Sequence, residues 1–314
     1  MQRSEHQQLL ILGWHNVEST WCFPARPGTG TQGLHDQLQI VRRFGHVVDL
    51  GAALDDLARG RTLPRRSVAL TFDDGYRDNL TVAAPLLRHL GMPATFFLVP
   101  SFLARERESW WETLAAAFQH AKSVSLHWQG QFFSLAGPGM RSAFDLVSTQ
   151  LKRLDAARRE AAVSELVDLL EPRPRPPVSD LFMDWDDARE LVSQGAAVGS
   201  HSLDHAILAN EAPDVQRENL SGARRQLQDR LDLPIDLFAY PNGTENDFDA
   251  ESVNAAQYAG YRCGVTTIPG RNSASTSFYR LHRHVLFPER GRLGFKRVAK
   301  RTVLDSLFGA GTRP

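Results

Sequence analysis

Short apolar runs alternate with longer amphipathic stretches along most of the chain. The apolar runs are rich in Val, Leu, Phe and Tyr, and they predict eight strands at 9–14, 46–50, 67–72, 94–99, 196–200, 237–240, 261–267 and 282–287. The amphipathic stretches predict helices at 32–43, 52–58, 79–90, 186–194, 215–231 and 250–259. Strands that alternate with helices pair in parallel, so seven or eight of them predict an α/β fold built on a closed or nearly closed barrel.

One segment departs from this alternation. Two short alternating runs, VSLHW and QFFSL, flank Gln129 and Gly130 within 123–135, which predicts a two-stranded hairpin. Charged helical patterns lie on both sides of it, at 110–121 and 141–170. We interpret the whole segment as an insertion that forms a cap or wall beside the active face. The predicted division is a first barrel part, the insertion, a second barrel part and a tail: 1–100, 101–178, 179–308 and 309–314.

Charge and cysteine content narrow the classes of function. The chain has 314 residues, and its 36 Lys and Arg residues balance 36 Asp and Glu residues. A net charge of zero argues against a general electrostatic surface for nucleic acid or an anionic membrane. The apolar run at 9–12 is too short to span a bilayer. The two cysteines, Cys22 and Cys263, are far apart and lie beside apolar or aromatic residues, so we expect buried thiols in a cytoplasmic protein.

Two adjacent carboxylates follow the third predicted strand. The run SVALTFDDG at 67–75 leads directly into Asp73 and Asp74. Adjacent side chains on an extended segment point to opposite sides, so the two share one role only if the chain turns, which Gly75 permits. An isolated Asp-Asp-Gly is typical of a plain strand-to-loop junction. However, the C-terminal end of a parallel barrel strand is where such enzymes place their sites, so both aspartates are candidate site residues.

Two histidines follow a second predicted strand. His201 and His205 belong to the run HSLDH, directly after 196–200. Two histidines four residues apart complete three protein ligands to a metal when a carboxylate joins them from elsewhere. A lone pair at this spacing is more often structural, but an aspartate pair at another strand end favours a metal site, with Asp204 as a turn residue. The same donors also suit Fe(II) in an oxygenase, whereas the α/β alternation and the extra Asp73 favour hydrolysis.

The two motifs together resemble a known family. Thr71-Phe-Asp-Asp-Gly75 followed by His201-Ser-Leu-Asp-His205 is similar to the polysaccharide deacetylase family, carbohydrate esterase family 4 or NodB homology domain. Leu12-Gly-Trp-His15 and Pro93-Ala-Thr-Phe-Phe97 resemble its barrel strands, and the resemblance covers roughly 9–100 and 180–288. It implies a distorted (β/α) barrel that removes acetyl groups from N-acetylated sugars with a divalent metal, commonly zinc.

The resemblance also implies roles for individual residues. Three of them would bind the metal: Asp74, His201 and His205. A metal held in this way lowers the pKa of its bound water toward 7 and polarises the amide carbonyl, and Asp73 would accept the proton as general base. Tyr240-Pro-Asn-Gly243 stands where the family's third motif supplies a backbone N–H. That implies the amide of Asn242, next to Tyr240, as the oxyanion and substrate contact, although a plain turn fits the same residues.

The chain departs from the family pattern in three places. The arginine of the family's third motif aligns with Ala239, so an orienting contact to the base is absent or comes from elsewhere. The fourth motif, an Asp-Trp pair, has no counterpart here. In the last motif, Leu-x-His, the run LHRH puts Arg283 in the histidine position. We interpret His284 or His282 as the general acid, with ordinary barrel or rim histidines as the alternative.

Two functions remain open at this point. The first is a metal-dependent hydrolase acting on acetylated sugars of a polysaccharide, oligosaccharide or glycolipid precursor. The alternative is a carbohydrate-binding member of the same fold with weak or no turnover, which the missing arginine and fourth motif favour. His15 is interpreted as a rim or core histidine, and Trp110 and Trp111 as packing residues of the insertion in preference to a sugar-stacking surface. The sugar, its chain length, N- versus O-deacetylation, the physiological metal and the oligomeric state stay open.

Overall fold

A parallel sheet forms the centre of the structure, which is a computed structural model describing residues 8–23, 29–173 and 177–287. Its eight strands are β1 (Leu9–Trp14), β2 (His46–Val47), β3 (Ser67–Phe72), β4 (Ala94–Leu98), β7 (Ala197–Ser200), β8 (Leu237–Ala239), β9 (Cys263–Val265) and β10 (His284–Val285). They run in the order β10-β1-β3-β4-β7-β8-β9, and β2 pairs with the start of β3. A two-stranded sheet, β5 (Ser125–Trp128) and β6 (Gln131–Ser134), lies apart from it.

Helices follow most of these strands. They are α1 (Thr29–Phe44), α2 (Leu50–Ala58), α3 (Ala84–Leu90), α4 (Pro100–Leu103), α5 (Trp110–Gln119), α6 (Pro138–Leu151), α7 (Ala156–Leu170), α8 (Trp185–Ser193), α9 (Pro213–Leu231) and α10 (Ala250–Tyr258). A π-helical turn at Asn79–Ala83 precedes α3. Side-chain caps define the first residue of several helices. Asp184 forms a capping box at the start of α8, and Asp249 forms one at the start of α10. Among the helices described, none combines the length and the hydropathy needed to cross a bilayer.

The sheet curls into a nearly closed barrel. β10 pairs with β1 at Leu12 and His284. On the other side, an isolated parallel bridge joins Val265 of β9 to Leu281, just before β10. The backbone N–H of Leu281 donates to the carbonyl of Gly264 at 2.9 Å, which completes the ring. The predicted distorted (β/α) barrel is therefore confirmed.

Most predicted elements are present; the strands are mostly shorter than predicted, whereas α1, α2 and α9 begin earlier than predicted. The predicted strand 46–50 is reduced to β2 because Asp49 caps α2 by accepting the N–H of Ala52 at 2.8 Å. The helical pattern 141–170 divides into α6 and α7, because Asp155 caps the start of α7 and accepts the N–H of Arg158 at 2.8 Å.

The insertion has a core of its own. Side chains of α5, α6, α7 and the hairpin form one buried cluster that includes Phe118, Trp128 and Leu166. The two-stranded hairpin is present as predicted. The boundaries of the four predicted units stay a prediction, and the tail at 309–314 lies outside the described residues.

The barrel interior changes from apolar to polar along the strand direction. On β1, Leu10 and Leu12 pack toward the outer helices, whereas Leu9 and Ile11 pack with residues of other strands and with α2. On β3, Ala69 belongs to the same apolar interior. The next positions of the same parity are Thr71 and Asp73, and both are buried. Polar groups therefore collect at the carboxyl end of the strands, where barrel enzymes place their sites.

Candidate metal centre

The chain turns sharply where β3 ends. Asp73 still donates its backbone N–H to the carbonyl of Trp14 at 2.9 Å, as in a strand. Asp74 then adopts a φ of 71° and Gly75 a φ of 77°, so the turn begins at Asp74 itself. The turn aims both carboxylates at one imidazole: the Nε2 of His201 lies 3.3 Å from Asp74 Oδ1 and 3.9 Å from Asp73 Oδ2.

The histidine motif leaves β7 with similar backbone strain. His201 donates its backbone N–H to Leu98 O at 2.9 Å, and Ser202 and His205 then take positive φ angles of 65° and 56°. The His201 ring is fixed by its contact with the carbonyl of Ala239, 2.8 Å from Nδ1. Because a carbonyl only accepts, Nδ1 carries the proton and Nε2 presents its lone pair to the centre. Ala239 thus contributes its backbone at the position where the family has an arginine.

Three ligand atoms converge at this point. The side chains of Asp74, His201 and His205 are buried, and their ligand atoms all lie within 4.8 Å of one another. The Nε2 atom of His205 is 3.2 Å from Asp74 Oδ1. Across the described part of the chain, that oxygen is buried and forms no hydrogen bond. A buried carboxylate oxygen without a donor, next to two imidazole nitrogens, fits a divalent cation with room for further ligands.

Electrostatics keep both carboxyl groups ionised. Burial alone would raise the pKa of Asp74, but His201 and His205 outweigh it and hold that pKa well below its ordinary value. Burial is likewise outweighed at Asp73, where the charge of Arg283 lowers the pKa. Burial lowers the pKa of His205, whereas the two aspartates overcome burial and raise the pKa of His201. Two anionic carboxylates therefore face the centre at neutral pH.

A buried arginine holds Asp73 in place. Arg283 is 0% exposed, and its Nη1 and Nη2 atoms donate to Asp73 Oδ1 at 2.7 Å and Oδ2 at 2.6 Å. Its Nη1 also donates to Thr71 Oγ1 at 3.1 Å, and its Nε to Thr266 O at 3.1 Å. Gly13 leaves the space for this side chain, because a Cβ there would lie 2.9 Å from Arg283 Cδ. The positive charge that orients Asp73 therefore comes from Arg283, in the last motif. The signal for it in the sequence was an arginine at the position where the family has a histidine.

A model of the polysaccharide deacetylase family matches residues 60–264. The chain belongs to this family. The Bacillus subtilis protein YxkH is 22% identical over 227 residues, which cover 72% of this chain and 54% of YxkH. The poly-beta-1,6-N-acetyl-D-glucosamine N-deacetylase of Escherichia coli K12 is 31% identical over 99 residues, 31% of this chain and 15% of that protein. The chain thus matches about half of one curated relative and much less of the other.

Solved structures show the same fold. The Streptococcus pyogenes deacetylase PplD, in complex with acetate, has a TM-score of 0.61 at 16% identity and covers 96% of this chain and 98% of its own. IcaB from Ammonifex degensii has a TM-score of 0.59 at 18% identity, with 95% and 97% covered. These likenesses extend over the insertion as well as the barrel.

His282 and His284, the two predicted general acids of this deacetylase-family chain, do not join the cluster of candidate metal ligands. Successive side chains alternate in the segment that leads into β10, so the side chain of Arg283 points into the barrel and those of His282 and His284 point away. The Nε2 of His284 accepts the backbone N–H of Gly270 at 3.2 Å, and a Cβ on Gly270 would lie 2.7 Å from Cγ of His282. A different histidine approaches Asp73: the Nε2 of His15 lies 3.9 Å from Asp73 Oδ2, and the His15 side chain is 28% exposed.

Tyr240 and Asn242, the two predicted substrate contacts of the third motif, lie in different environments. Tyr240 is 0% exposed, stacks on Phe248 at 4.3 Å and donates its hydroxyl to Tyr279 O at 3.0 Å, so its side chain packs in the core. The predicted substrate contact of Tyr240 is therefore not supported by its position. Asn242 takes a φ of 57° in the turn after β8, and its carbonyl accepts the hydroxyl of Thr267 at 2.7 Å. Its backbone N–H has no acceptor among the residues described.

Proposed function

We propose that this chain is a metal-dependent hydrolase that removes acetyl groups from N-acetylated sugars of a polysaccharide, oligosaccharide or glycolipid precursor. The observation that supports it most is the convergence of Asp74, His201 and His205 beside an ionised Asp73 that Arg283 holds. Family membership supports the reaction class over an iron oxygenase. The name of the Escherichia coli relative suggests β-1,6-linked N-acetylglucosamine as the first substrate to test.

The proposed chemistry divides among four residues and a metal ion. Asp74, His201 and His205 would hold the ion, for which we propose zinc, since two imidazoles, one carboxylate and open positions are typical of catalytic zinc. When bound, such an ion activates water and polarises the acetyl carbonyl. Asp73 is not needed as a ligand, because both of its oxygens accept hydrogen bonds from Arg283. Its fixed, ionised carboxylate is placed to accept a proton as water attacks.

Two further groups complete the proposed site. His15 is our candidate for the acid that protonates the leaving amine, because its Nε2 reaches within 3.9 Å of Asp73 and remains partly open to solvent. The backbone N–H of Asn242 is the candidate donor to the oxyanion, three residues beyond the Ala239 carbonyl that orients His201. The first assignment rests on the distance from His15 to Asp73, and the second on the place of Asn242 in the turn after β8.

Acetate release tests the proposed function directly. Purified protein is incubated with β-1,6-linked N-acetylglucosamine oligomers, with and without a chelator, and acetate is quantified. We expect release that the chelator abolishes and that added Zn²⁺ restores. Metal-loaded protein that binds the oligomers without releasing acetate would support the carbohydrate-binding alternative. One reason for that alternative has weakened, since Arg283 supplies the contact to Asp73 that the third motif lacks.

The identity of the acid gives a separate prediction. His15→Gln is expected to lower kcat by about 10²- to 10⁴-fold, the usual contribution of a positioned acid, while the metal content stays unchanged. His284→Gln is the matched control, since that ring contacts Gly270, and it is expected to keep kcat within about twofold of the original. The measurement is the steady-state rate at saturating oligomer. A large loss in His284→Gln together with a small one in His15→Gln would return the acid role to the last motif.

A further inference from the structure

A group of aromatic rings borders one side of the candidate metal centre. This aromatic wall consists of Tyr76, Phe102 and Phe182, which belong to one buried cluster, and of Trp111, which packs against them. The ring centroid of Trp111 lies 4.5 Å from that of His205, and the ring of Phe102 stacks on His205 at 6.4 Å. Trp111 comes from α5, so the insertion reaches the edge of the site.

The orientation of the Trp111 ring is fixed by a chain of hydrogen bonds. Its Nε1 donates to the hydroxyl of Tyr76 at 2.8 Å, and that hydroxyl donates to Glu112 Oε1 at 2.9 Å. Glu112 is 0% exposed, and its Oε2 accepts the backbone N–H of Cys22 at 2.9 Å. A ring held in this way loses little conformational freedom when a ligand packs on it, so the wall is preorganised for binding.

Trp111 is the member of the wall that solvent reaches. Tyr76, Phe102 and Phe182 are 1%, 3% and 2% exposed, whereas the Trp111 side chain is only partly buried. The Trp111 ring adjoins the ligand His205 and is partly open to solvent, so it is placed to contact a substrate whose acetyl group reaches the proposed ion. The face of a pyranose ring that carries C–H groups packs well on an aromatic surface, and the indole offers the largest such surface of any side chain.

From this placement we propose that Trp111 binds sugar by stacking and makes the site selective for oligosaccharides over small acetyl compounds. The proposal builds on the proposed function, since the acetylated sugar is the ligand of the same centre. The insertion then acts as one wall of the substrate groove. Trp111 is a specificity residue in this assignment, since it contacts the sugar and not the bond that breaks.

The chain offers a matched control in the neighbouring tryptophan. Trp110 packs against the core of the insertion, and the guanidinium of Arg159 lies 5.6 Å from its ring centroid. Its ring meets that of Trp111 edge-on at 5.9 Å, and it has no ring contact with His205 within the described ranges. Trp110→Phe therefore perturbs the same helix to a similar degree without altering the ring beside the ligand.

Steady-state kinetics on two substrates of different size test the assignment. For Trp111→Ala we expect KM for a β-1,6 N-acetylglucosamine tetramer to rise about 3- to 10-fold, with kcat nearly unchanged, since an aromatic stack contributes about 0.5–1.5 kcal/mol. Hydrolysis of 4-nitrophenyl acetate reports on the metal centre itself, because the Trp111 ring also packs on His205, so we expect the loss on the tetramer to exceed the loss on this ester by the same factor. For Trp111→Phe we expect a tetramer KM between those of the original protein and of Trp111→Ala. For Trp110→Phe we expect no change in this KM. Equal losses on the tetramer and the ester, or equal effects of both tryptophan variants, would overturn the assignment in favour of packing.

A binding measurement separates this inference from the reaction. Calorimetry with the fully deacetylated tetramer reports sugar binding without turnover, and we expect affinity to fall by a similar factor in Trp111→Ala. Binding that depends on Trp111 in a protein that releases no acetate would contradict the proposed function and keep the stacking role. Acetate release that does not depend on Trp111 would support the proposed function and contradict the stacking role. A protein that binds no tetramer would overturn the stacking role.

Discussion

Asp74→Asn is expected to lose both the bound ion and acetate release, since the substitution removes the anionic member of the three-ligand set. The Asp74 carboxylate faces two imidazole nitrogens at 3.3 and 3.2 Å and is the charge that balances a divalent cation there. A neutral amide is a much weaker ligand for such an ion. Metal content per chain, measured by mass spectrometry after dialysis, and acetate release should therefore fall together, with activity reduced to background.

The neighbouring aspartate gives the matched comparison. Asp73→Asn keeps the three ligands and removes the proposed base, so we expect the ion to remain and kcat to fall by about 10²- to 10⁴-fold. The two variants differ by one position and the same change of side chain, yet only one should lose metal. If Asp73→Asn loses the ion while Asp74→Asn keeps it, the assigned roles are reversed. If both keep full activity, the centre is not the site of reaction.

Arg283→Met is expected to cause a large loss of stability. The substitution leaves the Asp73 carboxylate buried without its cation, and removal of one partner of a buried ion pair costs about 3–5 kcal/mol. The measurement is the free energy of unfolding in urea at pH 7. Arg280→Met is the control, because Arg280 pairs with Glu245 at the surface, with side chains 50% and 62% exposed. An exposed pair contributes at most about 1 kcal/mol.

A double variant distinguishes loss of charge balance from loss of packing. Asp73→Asn together with Arg283→Met removes both charges, so no uncompensated ion remains in the barrel. We expect this variant to recover a substantial part of the stability that Arg283→Met alone loses, since uncharged replacements of buried pairs are often nearly neutral. If the two losses simply add, the guanidinium acts mainly by filling space, and the charge pairing with Asp73 is not what stabilises the fold.

Much of the fold and the metal cluster could be predicted because the signals are local. Apolar runs that alternate with amphipathic stretches require parallel pairing, and parallel strands end at the same rim. Residues directly after β3 and after β7 therefore had to approach each other. Asp74, His201 and His205 lie at those positions, so topology favours their convergence, and the resemblance to the deacetylase family indicated which of the two aspartates would be the ligand. The break between α6 and α7 was missed, although Asp155 offered a capping signal at that point.

The partner of Asp73 could not be predicted, because it depends on register across distant segments. Which of three consecutive residues, His282, Arg283 or His284, faces the interior is decided by how side chains alternate in the segment that leads into β10. A shift of one residue in pairing would exchange inner and outer faces. The pairing of Leu12 with His284 settles this. The distance between His15 and Asp73 depends on register in the same way, through the pairing of β1 with β3.

The position of Arg283 also bears on how the barrel assembles during synthesis. The guanidinium and the carboxylate it grips are separated by 210 residues, among the longest separations in the fold. Contacts between such distant parts form late, because the entropic cost of closing a long loop must be met before the contacts contribute favourable free energy. A nascent or proteolytically shortened chain that ends before β10 would already contain Asp74, His201 and His205, yet it would leave the neighbouring anion without its counter-charge. We therefore expect a chain shortened in this way to keep the three candidate ligands and to lose the ion pair that holds Asp73.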